Sequence, residues 1–479
     1  MLSELAFVIN SHRTYYSLEI NRGSTQEDIA VISPDSFKIQ TLGKCDYASP
    51  ISDWLLKRAA FKPGIGVHDR MLFHDHLSSI TEYAPLQPGQ IPSFEVAGPR
   101  RKLFFDPSNT RAGIVTCGGL CPGLNDVVRG LVNVLWHRYG VRQIDGFRYG
   151  YEGLTPDKHE PITLNPRVVK DIHHDGGTIL GSSRGPQDLD VMLNYLVDRQ
   201  INILFTIGGD GTQRGALQLS QRARERGIYL SVVGIPKTID NDICFVEQSF
   251  GFQTAFTQAV EAVKTAHNEA VSAPNGVGLV KLMGRHSGFI AAYAALAANE
   301  ANFVLIPEVD FPLQHTNGLL EALRKRLAAR QHAVVIVAEG AGQQYLASTG
   351  TDKSGNQRLG DIGIFLKEEI NSHFSALNMP VNVKYIDPSY MIRGCAANAF
   401  DSVLCFRLAA YAVHAAMAGR TEMIVGKWHG KFLHVPTSLA VAERQQVNPF
   451  GDLWLSVLEA TGQPRWHLSP DPAAAMPHH

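Results

Sequence analysis

Residues 201–212 read Ile-Asn-Ile-Leu-Phe-Thr-Ile-Gly-Gly-Asp-Gly-Thr, an apolar run closed by a glycine turn that carries one carboxylate, Asp210. A second run, Leu230 to Ile235, leads into Pro236-Lys-Thr-Ile-Asp-Asn-Asp242 and contributes Asp240 and Asp242. Both read as buried strands that end in ligand loops. In an open α/β sheet, ligands bind in the crevice outside the carboxyl ends of the strands, so the three acids are expected to converge on one small-molecule site. Carboxylates beside backbone N–H and basic groups suit magnesium and proton transfer next to phosphate, which is what phosphoryl transfer requires.

The same rhythm of apolar run, glycine-bearing loop and helix extends both ways from Ala112 onward. Further runs are Gly113 to Thr116, Val277 to Leu282, Phe303 to Ile306, Ala333 to Ala338 and Val381 to Ile386. The alternation predicts an α/β protein with a mostly parallel sheet and helices on both faces. One helix is expected after Asp188, an N-cap for the apolar face Leu189, Met192, Leu193, Leu196 and Val197. Another is expected from about Asn125 to His137, entered through the turn Gly118-Gly119-Leu-Cys-Pro-Gly123. The start of that helix is a candidate anion site, although a purely structural turn reads the residues about as well.

Composition sets the class. A chain of 479 residues with 44% hydrophobic content has material for two or three domains. Lys plus Arg (44) nearly balances Asp plus Glu (45), which argues against nucleic acid or an acidic membrane as the main partner. The six cysteines form no CxxC pair, so neither a zinc ribbon nor a disulfide framework is expected, and Cys117 and Cys121 read as small turn and core residues. The amino terminus lacks the basic segment and apolar core of a secretory signal. The apolar stretch Phe289 to Ile306 is interrupted by Asn299, Glu300 and Asn302, too polar for a membrane span. A cytoplasmic location is the expectation. Residues 1 to about 105 look appended, with Pro85 to Pro99 as a linker, and the Pro/Ala/His-rich segment from Pro464 reads as a poorly ordered tail.

Basic residues also fall at strand ends, in Gly181-Ser-Ser-Arg184-Gly185, Pro236-Lys237, Met283-Gly284-Arg285-His286 and Tyr390-Met-Ile-Arg393-Gly394, the three arginines each beside a glycine. Glycine lets the backbone approach a phosphate while the arginine fork binds its oxygens bidentately.

Taken together and in this order, CGGLCPGLN, GGDGT, PKTIDND and MGRHSG resemble the phosphofructokinase family, over roughly two-thirds of the chain from Arg111 to Lys427. GGDGT alone also occurs in kinases of diacylglycerol and NAD, where TIDND and MGR do not accompany it. The resemblance implies transfer of the γ-phosphoryl of ATP to the 1-hydroxyl of fructose 6-phosphate with Mg2+, in two Rossmann-like lobes with an N-terminal extension. It implies boundaries of 1–105 for the extension, 106–252 for a nucleotide lobe completed by about 390–440, 253–389 for a sugar-phosphate lobe and 441–479 for a C-terminal extension. It also favours a homotetramer.

Position by position, the resemblance makes Asp240 the base, supported by Thr238, Lys237 and Asp242, and Asp210 the metal residue. Gly119, Tyr151, Gly185 and the turn Gly208, Gly209, Gly211 and Thr212 would line the nucleotide side. Arg184 would lie between the phosphates. Met283, Gly284, Arg285 and Glu339 would meet the sugar and transition state, and Lys384, Tyr390 and Arg393 the 6-phosphate. Departures from the short bacterial-type enzymes are Gly276, where those carry an arginine donated by a neighbouring subunit, and Tyr390, where they carry histidine. Of their allosteric basic residues, Arg129 matches one. The chain looks like a long-chain ATP-dependent subgroup.

Two donor markers conflict. Pyrophosphate-dependent relatives usually carry aspartate at the place of Gly211, whose missing side chain leaves room for ATP, and lysine at the place of Lys237, which is present. Gly211 is given more weight because a side chain there occludes the site outright. The alternatives are a pyrophosphate-dependent enzyme and a catalytically silent sugar-phosphate-binding subunit.

Overall fold

The structure is a computed structural model that describes residues 33–54, 57, 69–83, 85–347, 350 and 358–466. Most of the tail expected to be poorly ordered, with its terminal histidines, lies outside the described residues.

The elements that position the site are strands β1 (Arg70–Leu72), β2 (Ser93–Val96) and β3 (Arg111–Thr116), helix α1 (Leu124–Val134), β4 (Gln143–Phe147), β5 (Ile162–Thr163), α2 (Leu189–Asp198), β6 (Ile203–Gly208), α3 (Asp210–Glu225) and β7 (Ser231–Pro236). There follow α4 (Phe252–Val271), β8 (Gly276–Leu282), α5 (Phe289–Ala298), β9 (Phe303–Leu305), α6 (Leu319–Arg330), β10 (His332–Ala338), α7 (Ile362–Ala376) and β11 (Asn382–Ile386). The chain ends with α8 (Ala399–Met417), β12 (Met423–Trp428), β13 (Lys431–Pro436) and α9 (Asp452–Thr461).

Two sheets result, one of nine strands in the order β1-β2-β13-β12-β7-β6-β3-β4-β5 and one of four in the order β9-β10-β8-β11. The five strands from β12 to β4 are parallel, the outer strands of that sheet are antiparallel, and the second sheet is parallel throughout. Every residue of β6 and β7 is buried, as continuous apolar runs in a parallel sheet require when helices cover both faces. Asp188 caps α2 as expected, its carboxylate accepting from Val191 N–H at 2.9 Å.

The Pro85 to Pro99 segment is not a linker: β2 pairs with β13 and β1 and extends the large sheet. Its Glu95 is nearly enclosed by His434 at 3.2 Å, Arg420 at 3.1 Å and Arg100 at 2.7 Å, which outweigh burial and hold its carboxyl well below the usual carboxylate range. Helix α8 is long and apolar enough to cross a membrane by composition, yet it packs against α1 within the core.

Candidate active site

The ends of β3, β6 and β7 in one sheet and of β8, β10 and β11 in the other face a single open cleft of about 990 Å³. Of the residues singled out in the sequence, Gly119, Tyr151, Arg184, Gly185, Gly209, Asp210, Gly211, Thr212, Lys237, Thr238, Asp240, Asp242, Met283, Arg285, Glu339, Tyr390 and Arg393 line it. Gly208 and Gly284 sit just behind the lining. A side-chain carbon on Gly208 collides with Thr212, and Gly284 adopts φ +133°, where a side chain would also approach Ser287 O to 2.5 Å.

Lys384 stands apart. It lies in the middle of β11 rather than at its end, and its ammonium faces Glu269 of α4 at 3.9 Å. Besides Lys237, the cleft is lined by Lys281, held by Asp361 at 2.8 Å and Asp387 at 2.9 Å. The start of α1 is also set back, because the lining stops at Cys121 and Asn125 is engaged with Asp175 O and Ile179 N–H. The Gly118–Gly119 turn itself, rather than the helix N-terminus, faces the cleft.

Around that turn three cationic side chains gather. Lys237 donates its ammonium to the Gly119 carbonyl, and a side-chain carbon on Gly119 would meet Arg184 Nη2 at 3.2 Å and Arg393 Nη1 at 3.6 Å. Burial, with help from Arg184 and Arg393, lowers the proton affinity of Lys237. So much positive charge around a glycine turn is a receptacle for phosphate. Beside it, at the end of the neighbouring strand β6, lies the N-terminus of α3, whose first turn carries Asp210, Gly211 and Thr212. Tyr151 fixes it by donating to Thr212 O at 2.6 Å, while Gly211 has open space where a side chain would point.

The loop after β7 is built by its own side chains. Thr238 Oγ1 accepts from Asp240 N–H at 3.1 Å and donates to Asp242 Oδ1 at 2.8 Å. Asn241, at φ +54°, accepts from Ser249 N–H at 2.8 Å and donates to Glu247 O at 3.1 Å. Ser287, from the loop after β8, donates to Asp240 O at 2.9 Å and ties the two lobes at this point. Burial pushes the Asp240 carboxyl up to about 8, and the neighbouring acids Asp242 and Glu339 push the same way. A carboxyl held near operating pH is suited to take a proton from a hydroxyl.

Cys117 and Cys121 are buried wall residues, their thiols driven upward by burial, and among the described residues no group of three or more His, Cys, Asp or Glu is arranged to hold a metal ion alone. One site residue had no motif to announce it: Arg444 faces Asp210 at 3.6 Å and Asp242 at 3.5 Å.

Comparisons with known proteins agree with this geometry. The phosphofructokinase family model matches residues 111–416. An ATP-dependent 6-phosphofructokinase of Amycolatopsis methanolica is 52% identical over 439 residues, covering 90% of this chain and 95% of its own. One from Borreliella burgdorferi is 47% identical, covering 89% and 97% respectively. Among solved structures, a pyrophosphate-dependent phosphofructokinase from Marinobacter aquaeolei superposes with a TM-score of 0.60 at 20% identity, covering 74% of this chain and 91% of that one, a likeness of fold. The chain belongs to the phosphofructokinase family.

Proposed function

We propose that the protein transfers the γ-phosphoryl group of ATP to the 1-hydroxyl of fructose 6-phosphate. The observation that carries this reading is the unfilled space at Gly211 in the first turn of α3, next to the three-cation turn at the end of the neighbouring strand, in the cleft that Asp240 also lines. The close relatives named for ATP point the same way.

In this reading the nucleotide phosphates lie along Gly209 to Thr212 and the Gly118–Gly119 turn, with Tyr151 and Gly185 on the same wall. Arg393 and Tyr390 bind the sugar phosphate from the loop after β11, and Met283, Arg285 and Glu339 orient the sugar. Asp240 accepts the proton of the 1-hydroxyl as its oxygen bonds to the γ-phosphorus and the bond to the ADP oxygen breaks. Arg184 and Arg285 offset the charge that develops on the transferring group.

Asp210 suits Mg2+, because it lines the cleft as a carboxylate beside the expected phosphates, and this ion is usually held by one or two carboxylates plus phosphate oxygens. When bound, the ion neutralises phosphate charge. We place the enzyme in the cytoplasm as a homo-oligomer, a tetramer being favoured. The exposed apolar residues Phe400, Val403 and Phe406 on α8 suit such a contact.

A coupled assay for fructose 1,6-bisphosphate, with ATP and pyrophosphate offered in parallel, tests the reading. Turnover with ATP is expected, and turnover with pyrophosphate alone contradicts it.

A further inference from the structure

The segment after residue 442 is sewn across the junction of the two lobes. Arg444 forms a bridge with Ile243, and Gln445 N–H donates to Asp242 O at 3.0 Å. Gln446 Nε2 donates to His286 O at 3.0 Å, and Val447 N–H donates to Glu308 Oε1 at 2.8 Å. Glu308 Oε1 also accepts from Gly288 N–H at 2.9 Å, so one carboxylate fastens the segment to the start of α5. This strap delivers the Arg444 guanidinium into the cleft, with Nη2 toward Asp210 Oδ2 and Nη1 toward Asp242 Oδ2.

Arg214 of α3 also pairs with Asp210, its Nε 3.2 Å from both carboxylate oxygens, but Arg444 is the cation that reaches both acids, and two carboxylates from different strand-end loops repel each other more strongly without it. Arginine is a permanent counter-ion because it does not lose its proton in proteins, and its planar fork can serve both acids. A guanidinium and a bare divalent cation at the same acids would repel each other strongly in a partly desolvated cleft. A metal that arrives on nucleotide phosphates brings compensating negative charge, to which the guanidinium can turn.

Building on the phosphoryl-transfer reading, we propose that Arg444 is a positioning residue that takes the cation's place between Asp210 and Asp242 in the nucleotide-free cleft. It thereby excludes bare divalent metal and admits the metal–nucleotide complex.

The test uses Mn2+ alone as the probe, titrated into the full chain without nucleotide or sugar and followed by electron paramagnetic resonance. Arg444→Met is expected to bind bare Mn2+ roughly tenfold more tightly than the parent, and adding Asp210→Asn is expected to remove that gain. Arg444→Lys, which keeps the charge, is expected to exclude Mn2+ as the parent does while raising KM for the metal–ATP complex. Arg444→Gln, closer in polarity, replaces the Met variant if thermal melting shows that variant unfolded. Bare Mn2+ affinity unchanged, lowered or undetectable in a folded neutral variant overturns the proposal. Because this titration involves no phosphoryl donor, its failure is distinguishable from failure of the donor assay.

Discussion

The ammonium of Lys237 is engaged with the carbonyl of Gly119, so the lysine that follows β7 is committed to shaping the turn after β3. It is buried and has Arg184 and Arg393 as neighbours. The two donor markers in the sequence therefore do not compete for one role. Lys237 fixes the turn against which Arg184 and Arg393 lie, and Gly211 governs the space at the start of α3. Lys237→Met is expected to lower kcat/KM for ATP by about 10-fold to 10²-fold through loss of that order, with a lower Tm. An unchanged Tm with lost activity would instead mark Lys237 as a direct phosphate ligand.

Asp240→Asn keeps the shape of the loop and removes the base, so kcat is expected to fall by about 10²-fold to 10⁴-fold with a modest change in sugar-phosphate KM. In the parent, the carboxylate is the active form and its proton affinity is raised to about 8, so kcat/KM is expected to rise with pH through the upper neutral range. Glu339→Gln removes one of the two nearby negative charges and should move that rise to lower pH. Activity of Asp240→Asn within threefold of the parent, measured in the coupled assay, contradicts the assignment.

Arg393 lies over the Tyr390 ring at 4.9 Å and beside Gly119 and Arg184, within reach of either phosphate-bearing ligand. As a contact to the non-reacting 6-phosphate it strengthens ground state and transition state alike. Arg393→Ala is then expected to raise KM for fructose 6-phosphate by about 10-fold to 10²-fold and leave kcat nearly unchanged. A defect confined to kcat moves Arg393 to the transferring group.

Glu308 fastens the strap, and its second carboxylate oxygen is buried without a hydrogen-bond partner among the described residues. Burial pushes the carboxyl up to about 7, with the two N–H donors acting in the opposite direction. The folded protein thus binds more protons than the unfolded chain between the ordinary value of 4.5 and about 7. This group's contribution favours folding below that window and is lost as pH rises through it, by about 3 kcal/mol. Glu308→Gln has nothing to ionise and keeps one acceptor for Gly288 and Val447. Its Tm is expected to exceed the parent's at pH 8 and to match it near pH 5. Identical pH dependence of Tm in both proteins contradicts the account.

Sequence reading found the strand ends because each pairs a local apolar run with a turn of glycine or of clustered polar residues, and those signals are contiguous in the chain. What it missed depends on contacts between distant residues. Arg444 sits in Glu-Arg-Gln-Gln, which reads as solvated surface, and only the strap's bonds to Asp242, His286 and Glu308 turn it inward. Glu95 disguised β2 in the same way, since the groups that hold its carboxylate include Arg420 and His434 from the far end of the chain. Lys384 was placed by motif order, which does not say where along a strand a side chain stands. Lys281 went unnoticed because a lysine inside an apolar run has no glycine beside it to mark a ligand loop.

The donor claim rests on Gly211. A side-chain carbon there meets nothing within 4 Å among the described residues, and an aspartate in the first turn of α3 interacts favourably with the helix dipole, so Gly211→Asp is expected to fold normally. Its carboxylate would occupy the space assigned to the nucleotide and repel phosphate in a cleft of low dielectric. The decisive measurement is kcat/KM for ATP and for pyrophosphate with parent and Gly211→Asp under identical conditions. The account predicts a parent that uses ATP with little pyrophosphate activity, and a variant that has lost ATP use. A parent that prefers pyrophosphate, or a variant with full ATP activity, would contradict it.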